Sequence, residues 1–334
     1  MIRIAVDAMG GDHAPAAIVQ GALNALTNNP DLEIVLVGRE QAVTPLVPPG
    51  APRVSIVNAD EVIETGEDPL VAIRRKRGAS MLIALNLLKE KKVDACVSAG
   101  STGAFMSGAL FNVGRIKGIQ RPALAPLLPT RTGHALLIDC GANADCKPEF
   151  LLQFAQMGSV YMKRVMEVPN PKVGLLNIGA EEEKGSALYK ETYQLLKSAP
   201  VNFHGNVEGR DAFDGTVDVI VADGFAGNIL LKTAEGAAMF LFDLLKEQLT
   251  ASLPRKLAAA VLRPGFRAVK RKMDYAEIGG SLLLGIEGIV VKAHGSCKER
   301  AFESAIRQAY TAARRDVVGN IRTALEAVLT QENG

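Results

Sequence analysis

The sequence predicts an α/β protein in which helices cover both faces of a largely parallel sheet. Three observations lead there. A short apolar strand ending in small residues, glycine and a polar side chain recurs at 4–12, 95–100, 136–141 and 173–179. Helical spacing fills the intervals at 15–28, 69–91, 102–113, 148–167 and 186–198, and that alternation builds parallel units. Residues 219–228 then read as a buried β-branched strand, a turn eased by Gly224 and Gly227, and a helix whose apolar run 229–245 is capped by Asn228. A turn of this kind at the carboxyl end of a parallel strand is where open α/β sheets bind ligands, and a helix start there favours an anion.

Taken in order, Pro15 suits the first turn of the helix after the first strand. Strands are expected at 33–37 and 53–57, separated by a proline-rich surface connection at 41–52. Residues 113–132, with Arg115, Lys117, Arg121 and three prolines, are too long for a simple connection. They read either as a lid or arm crossing between lobes or as a surface excursion. Residues 246–280 predict an inserted amphipathic hairpin. Leu253, Leu257 and Val261 keep helical spacing after a Ser252 cap, Pro264-Gly265 breaks the chain, and Phe266, Val269 and Met273 restart the period. Arg263, Arg267, Lys270, Arg271 and Lys272 make its other side basic, which reads as a dimer-packing element with a solvated face or as a contact for anionic lipid or an acidic partner. A last strand is expected at 289–291. The whole of 1–334 forms one catalytic unit, either undivided or as two lobes sharing a cleft.

Composition narrows the function. A net charge of +2, no tryptophan and 5% aromatics give neither a field nor a stacking platform for nucleic acid. The four cysteines, Cys96, Cys140, Cys146 and Cys297, include no CxxC pair and read as reduced thiols of a cytoplasmic protein. No basic-then-apolar leader opens the chain, and no apolar run is long enough to cross a bilayer.

Several turns carry chemistry. Ser98, Gly100, Ser101, Thr102 and Gly103 follow a strand and open a helix, so amides, hydroxyls and the helix dipole converge on a phosphate-sized anion. The turn lacks the Lys-Ser/Thr of a P-loop and the spacing of a dinucleotide fingerprint. Asp7, Gly10, Gly11, Asp12 and His13 crowd the first turn, where Asp12 is alternatively a helix cap and His13 a surface imidazole. Asn177 and Lys184 bracket an acidic run that is either a solvated loop or a way to bring an ammonium to the rim at a helix start. His294 follows the last strand as a ligand contact, a proton carrier or a structural donor, and Asn143 and Asp145 are similarly open. Asp223 places a carboxylate beside the amides of the 223–228 turn. A site rich in anion cradles, without a nucleophile elbow or zinc spacing, suits a reaction in which phosphate itself attacks.

The stretches 5–15, 98–104, 114–119, 121–126, 223–228 and 292–296 resemble the bacterial phosphate acyltransferase family, the acyl-[acyl-carrier-protein]:phosphate transacylases of phospholipid synthesis. The resemblance runs in order from residue 2 to about 310. It implies a three-layer α/β/α sandwich similar to phosphotransacetylases and isopropylmalate dehydrogenases, a homodimer without cofactor, and a cytoplasmic enzyme held peripherally at the inner face of the cell membrane. It also implies a reaction in which inorganic phosphate displaces acyl carrier protein from a long-chain thioester, giving acyl phosphate for a membrane glycerol-3-phosphate acyltransferase. Lys184 and Asn228 match positions that matter for catalysis, with Asp223 and His294 beside them. Because the carrier protein is acidic, the basic hairpin residues are candidates to dock it, with Arg74, Arg75, Lys76 and Arg77 as a second patch. Leu253, Leu257, Val261 and Phe266 would offer the acyl chain an apolar path. The alternatives are a phosphotransacetylase acting on short acyl-CoA and a non-catalytic organiser of lipid enzymes at the membrane surface.

Overall fold

The computed structural model describes residues 1–273 and 279–332, with the side chains of 270–273 and 327–332 outside that description. The strands form two sheets. The first has the order β3 (Val54–Asn58), β2 (Leu32–Gly38), β1 (Ile2–Asp7), β4 (Ala95–Ser98), β12 (Ile289–Ala293), β11 (Gly280–Leu284) and β5 (Ala123–Ala125). It is parallel from β3 through β12 and antiparallel at β11 and β5. The second has the order β6 (Leu127–Pro129), β7 (His134–Ile138), β10 (Val219–Val221), β8 (Lys172–Asn177) and β9 (Asn202–Glu208), with only the β6 edge antiparallel.

The period of two along each strand sorts the core into layers. Ile4, Val6, Ile34 and Leu36 face Ile18, Val19 and Ala22 of α1 (Ala16–Asn28) and Phe302 and Ile306 of α10 (Glu299–Arg314). Ala5, Val35 and Val37 face the opposite core, with Met81, Leu82 and Leu85 of α4 (Ser80–Lys89) and Phe105 of α5 (Thr102–Gly108). The short α2 (Glu40–Val43) and α3 (Pro69–Arg75) flank this sheet. The first core continues beneath the second sheet, where Leu136, Ile138 and Val219 meet Leu151 and Phe154 of α6 (Pro148–Arg164). The second sheet's other face packs Leu137 and Ile220 against Ala226, Leu230 and Leu231 of α8 (Gly224–Thr250). α7 (Ala187–Ser198) packs against α6, β8 and β9, and α11 (Val317–Glu332) against α6. One apolar core shared by two helix-covered sheets is the α/β/α sandwich expected.

Several expectations change. The strands divide between two sheets, and 113–132 is the crossing between them: β5 ends one sheet, β6 begins the other, and all residues of β5 are buried. The 69–91 helix is two helices interrupted at 76–79, where Gly78 approaches the Glu61 carboxylate. The long helix starts at Gly224, five residues before the expected start, because the Asp223 carboxylate caps it by accepting from Ala226 N at 2.8 Å; Asn228 therefore sits in its second turn. Pro264 does not break α9 (Leu253–Met273), since a helix exposed along this stretch can leave the displaced carbonyl to water. The hairpin corner thus falls at 251–252, and its arms are α8 and α9; residues 274–278 of the expected hairpin lie outside the described residues. No helix among the described residues is long and apolar enough to cross a membrane.

Candidate active site

On the first sheet the ends of three neighbouring strands, β1, β4 and β12, bring their turns together. Asp7 closes β1 and is buried. One carboxylate oxygen accepts from Ser98 Oγ and the other from Ser80 Oγ, both at 2.6 Å. Ser98 Oγ in turn accepts from Gly100 N at 3.0 Å, which folds the turn onto the acid. Burial pushes the Asp7 carboxyl upward, and its two serine donors pull it back. Gly10 has no room for a side chain, since a Cβ would lie 2.4 Å from Asp7 Oδ2 and 2.6 Å from Gly100 N. Gly10→Ala is therefore expected to cost about 1–3 kcal/mol, read as a lower thermal unfolding midpoint. The third turn closes the group, with Asp12 N donating to Gly295 O at 2.9 Å.

These bonds redistribute the expected roles. Asp7, Ser98 and Gly100 lie beneath the rim and shape it, because their polar groups are committed to one another. Ser101 caps α5, its hydroxyl accepting from Ala104 N, and Thr102 and Gly103 form the open first turn behind it. Asp12, His13 and His294 are exposed, and His294 Nδ1 is 2.9 Å from Ser296 Oγ. Asp12 does not cap α1, whose N-cap position holds Pro15.

The second sheet repeats the device at the ends of β7, β10 and β8, again immediate neighbours. Asp139, fully buried after β7, accepts from the backbone N–H groups of Leu124, Cys140, Ala142 and Asn143 and from the Asn143 amide. Desolvation raises its carboxyl, and the bonds from Leu124, Asn143 and Ala142 oppose the shift. Asn143 O accepts from Gly224 N at 2.7 Å, so the Asp139 loop is tied to the start of α8. Asp223 accepts from Ala226 N and, at 2.7 Å, from Tyr189 Oη of α7. Its role as a cap and as the acceptor for a tyrosine accounts for both oxygens.

Lys184 lies in the loop before α7, two residues ahead of the Ser186 cap position, not at the helix start itself. Asn177 Nδ2 donates to its carbonyl at 3.1 Å, and its stem passes over Gly179. The ammonium is exposed and forms no ion pair among the described residues. Asn228 is exposed beside Gly141, whose positive φ of 113° suits glycine and keeps the floor beneath the amide open.

The sheets are joined at this level. Leu124 N donates to Asp139 Oδ1 at 2.8 Å and Cys140 N to Leu124 O at 3.0 Å, linking β5 of one sheet to the β7 turn of the other. Lys232, two turns into α8, lies within electrostatic reach of Lys292 at the first cluster and Cys140 at the second. Tyr189, Asp139, Lys232 and Lys292 were not singled out as site residues from the sequence. Asp139 and Lys292 do lie within the strand-end turns, whereas the Tyr189 and Lys232 contacts depend on how helices dock.

Neither thiol near the second cluster is an activated nucleophile: burial pushes Cys140 and Cys146 up to about 12. A cavity of about 310 Å³ lies at the opposite ends of β8 and β9, between Lys163, Pro171, Asn202 and Leu325, away from these turns. Beyond the site, Arg74, Arg75 and Arg77 are exposed, but Lys76 is withdrawn from that basic patch by a 2.6 Å ion pair with Glu67. Leu257, Val261, Arg263 and Arg267 are exposed on α9 and Phe266 is half-buried, while Lys270, Arg271 and Lys272 fall among the residues whose side chains are not described.

A family model described as fatty acid synthesis protein matches residues 2–320. The phosphate acyltransferase of Clostridium tetani is 48% identical over 332 residues, covering 98% of this chain and 99% of that one. The phosphate acyltransferase of Bacillus pumilus is 50% identical over 333 residues, covering 99% and 100%. Among solved structures, a phosphotransacetylase from Streptococcus pyogenes shares the fold with a TM-score of 0.62 at 17% identity, covering 94% of each chain. Matching over nearly its whole length, the chain belongs to the fatty acid synthesis protein family, alongside these phosphate acyltransferases, and is itself an acyltransferase.

Proposed function

We propose that the chain transfers a long-chain fatty acyl group from acyl-[acyl-carrier-protein] to inorganic phosphate, giving an acyl phosphate for phospholipid synthesis. The observation that carries this reading is the pairing of two glycine-lined clusters, each built from three adjacent strand ends, with an open helix start on one and an unpaired lysine on the other. A phosphate oxygen attacks the thioester carbonyl, the new C–O bond forms, and charge collects on the carbonyl oxygen. The tetrahedral intermediate then expels the carrier's thiolate as the C–S bond breaks. Phosphate is already a competent nucleophile, so the chain's task is to aim it and stabilise that oxyanion. In this scheme the first turn of α5, at Ser101, Thr102 and Gly103, seats phosphate over the floor set by Ser98 and Gly100. Lys184 and Asn228 face the oxyanion, Asp223 fixes the start of α8 that presents Asn228, and His294 lies beside the phosphate turn.

The surface around the second cluster supports an apolar donor. Ile178, Phe225 and Ile229 are exposed on the loop and helix start that carry Lys184 and Asn228. Farther out, Met239 and Phe240 on α8 and Leu253, Leu257 and Val261 on α9 are also exposed, which suits a homodimer contact and a peripheral seat on the membrane. A leucine or valine buried in lipid contributes about 2 kcal/mol. Leu257→Glu with Val261→Glu is therefore expected to release the folded protein from phospholipid vesicles in a flotation assay, and unchanged flotation would remove α9 from membrane contact. Exposed Arg263 and Arg267 on the same helix suit an acidic carrier protein.

The deciding assay mixes the purified protein with palmitoyl-[acyl-carrier-protein] and phosphate and follows acyl phosphate by mass. Product from the carrier thioester, with little from acetyl-CoA, is the expected result. The reverse preference would make the enzyme a short-chain phosphotransacetylase, and no product from either would leave the membrane-organiser reading.

A further inference from the structure

Lys292 is the buried cation of the first cluster, 7% exposed near the end of β12 and in register with Ser98 of β4. Its Nζ donates to Ala99 O at 3.4 Å and to Ala293 O. No carboxylate forms an ion pair with it among the described residues. An ammonium held only by carbonyls in the interior is costly to bury, and an apolar side chain of similar length would fill the space more cheaply.

The turn it holds lacks charge of its own. Ser98 Oγ and Gly100 N are committed to each other and to Asp7, so an anion at the start of α5 would meet the neutral amides and hydroxyls of 101–103. Lys232, the other cation in reach, is paired with Glu235 at 2.6 Å. The turn is also braced at Ala99 by the loop after β1. A Cβ on Gly11 would lie 2.9 Å from the Ala99 Cβ, so the first loop packs tightly against the residue whose carbonyl Lys292 holds.

We propose that Lys292 is a positioning residue of the phosphate site: its ammonium fixes the Ala99 carbonyl, and with it the 98–103 turn, and supplies the positive charge beneath the anion seated there. This rests on the assignment of that turn to phosphate. The groups facing Lys292 are Asp7 at the end of β1, Asp12 from the loop after it, Cys297 from the loop after β12, and Lys232 from α8. Burial lowers Lys292 to about 8, with Cys297, Asp7 and Asp12 pulling the other way. Cys297 is pushed up to about 11 by its own burial, outside the range that matters. Lys292 is charged below about pH 8 and neutral above it, so anion affinity is expected to fall as pH rises through that value.

The test uses sulfate, whose charge is constant over this range, and measures its binding by calorimetry, with displacement by phosphate, from about pH 7 to about pH 9.5. Wild type is expected to lose about tenfold in affinity across the range, Lys292→Met to be about tenfold weaker at pH 7 and flat, and Lys292→Arg to bind with no pH slope. Lys292→Met should also raise KM for phosphate while leaving KM for the acyl donor unchanged. No phosphate-displaceable sulfate binding in wild type, a wild-type affinity flat with pH, or the same slope in all three proteins would overturn the proposal. Should Lys292→Met fail to fold, the wild-type and Lys292→Arg slopes decide alone. Turnover of the acyl thioester is assayed separately, so its absence beside the expected sulfate slopes would count against the reaction and not against Lys292.

Discussion

Replacing Lys184 or Asn228 by alanine is expected to lower kcat for acyl phosphate formation by about 10²-fold each, or about 3 kcal/mol of barrier. The expectation follows from where the two side chains lie. Both are exposed at the ends of elements fixed by other residues: Asn177 holds the Lys184 backbone, and Asp223 caps the helix that carries Asn228. Truncating exposed side chains usually changes stability by about 0.5 kcal/mol or less, so lost turnover with an unchanged thermal midpoint would report on chemistry. If both groups stabilise the same oxyanion, the double variant should lose less than the product of the single losses. Lys184→Arg, which keeps the charge, should retain more activity than Lys184→Ala. Near-normal turnover in both alanine variants would remove these residues from the mechanism and leave the phosphate turn as the only supported part of the site.

The strand ends of this fold were legible because each pairs an apolar β run with glycine, a combination that a parallel sheet buries and a tight turn requires. β5 and β6 were hidden because each is only three residues long and proline-flanked, so neither shows a period. β9 was hidden by His204, Gly205 and Asn206, whose polarity masks a strand that pairs with only one neighbour. α10 is legible in the sequence, since Phe302, Ile306, Ala309 and Tyr310 give it a clear apolar face. The start of α8 turned on competition between two caps. Asn228 lies next to the long apolar run, but Asp223 reaches Ala226 N first, and the glycines at 224 and 227 then enter the helix because its approach to the Asp139 loop leaves no space for a Cβ. In the candidate site, the sequence brought out the side chains that face solvent, such as Lys184 and Asn228. It gave no sign of which polar groups would be consumed in building the rim. Ser98 follows a strand and precedes a helix as a phosphate ligand would, but its hydroxyl lies between Asp7 and Gly100 N, and the Tyr189 contact to Asp223 joins residues with no common motif.

Asp139→Ala is expected to unfold the second sheet's rim, and with it most of the protein, because no other single carboxylate described in this chain gathers as many donors. Removing it leaves the backbone N–H groups of Leu124, Ala142 and Asn143 without their acceptor, while Cys140 N keeps Leu124 O and the Asn143 amide keeps Pro122 O. Each buried orphan costs about 1–3 kcal/mol, so even partial rescue by water leaves a loss comparable to the total stability of about 5–15 kcal/mol of an ordinary domain. The damage cannot stay local, since Leu124 belongs to the first sheet and Asn143 O holds Gly224 N at the start of α8. Asp139→Asn should be intermediate. With its carbonyl toward Leu124, Cys140 and Ala142 it keeps one cluster of bonds, but its amide then points donors at Asn143 N and Nδ2, which already donate there. Asp145, exposed a few residues later in the same loop, is the control: Asp145→Asn should stay within about 0.5 kcal/mol of wild type. Urea unfolding followed by circular dichroism ranks the three. An Asp139→Ala protein with a wild-type midpoint would mean that the loop can recruit another acceptor, and the join between the two sheets would then have to rest on their shared apolar core and the Cys140 N–Leu124 O bond.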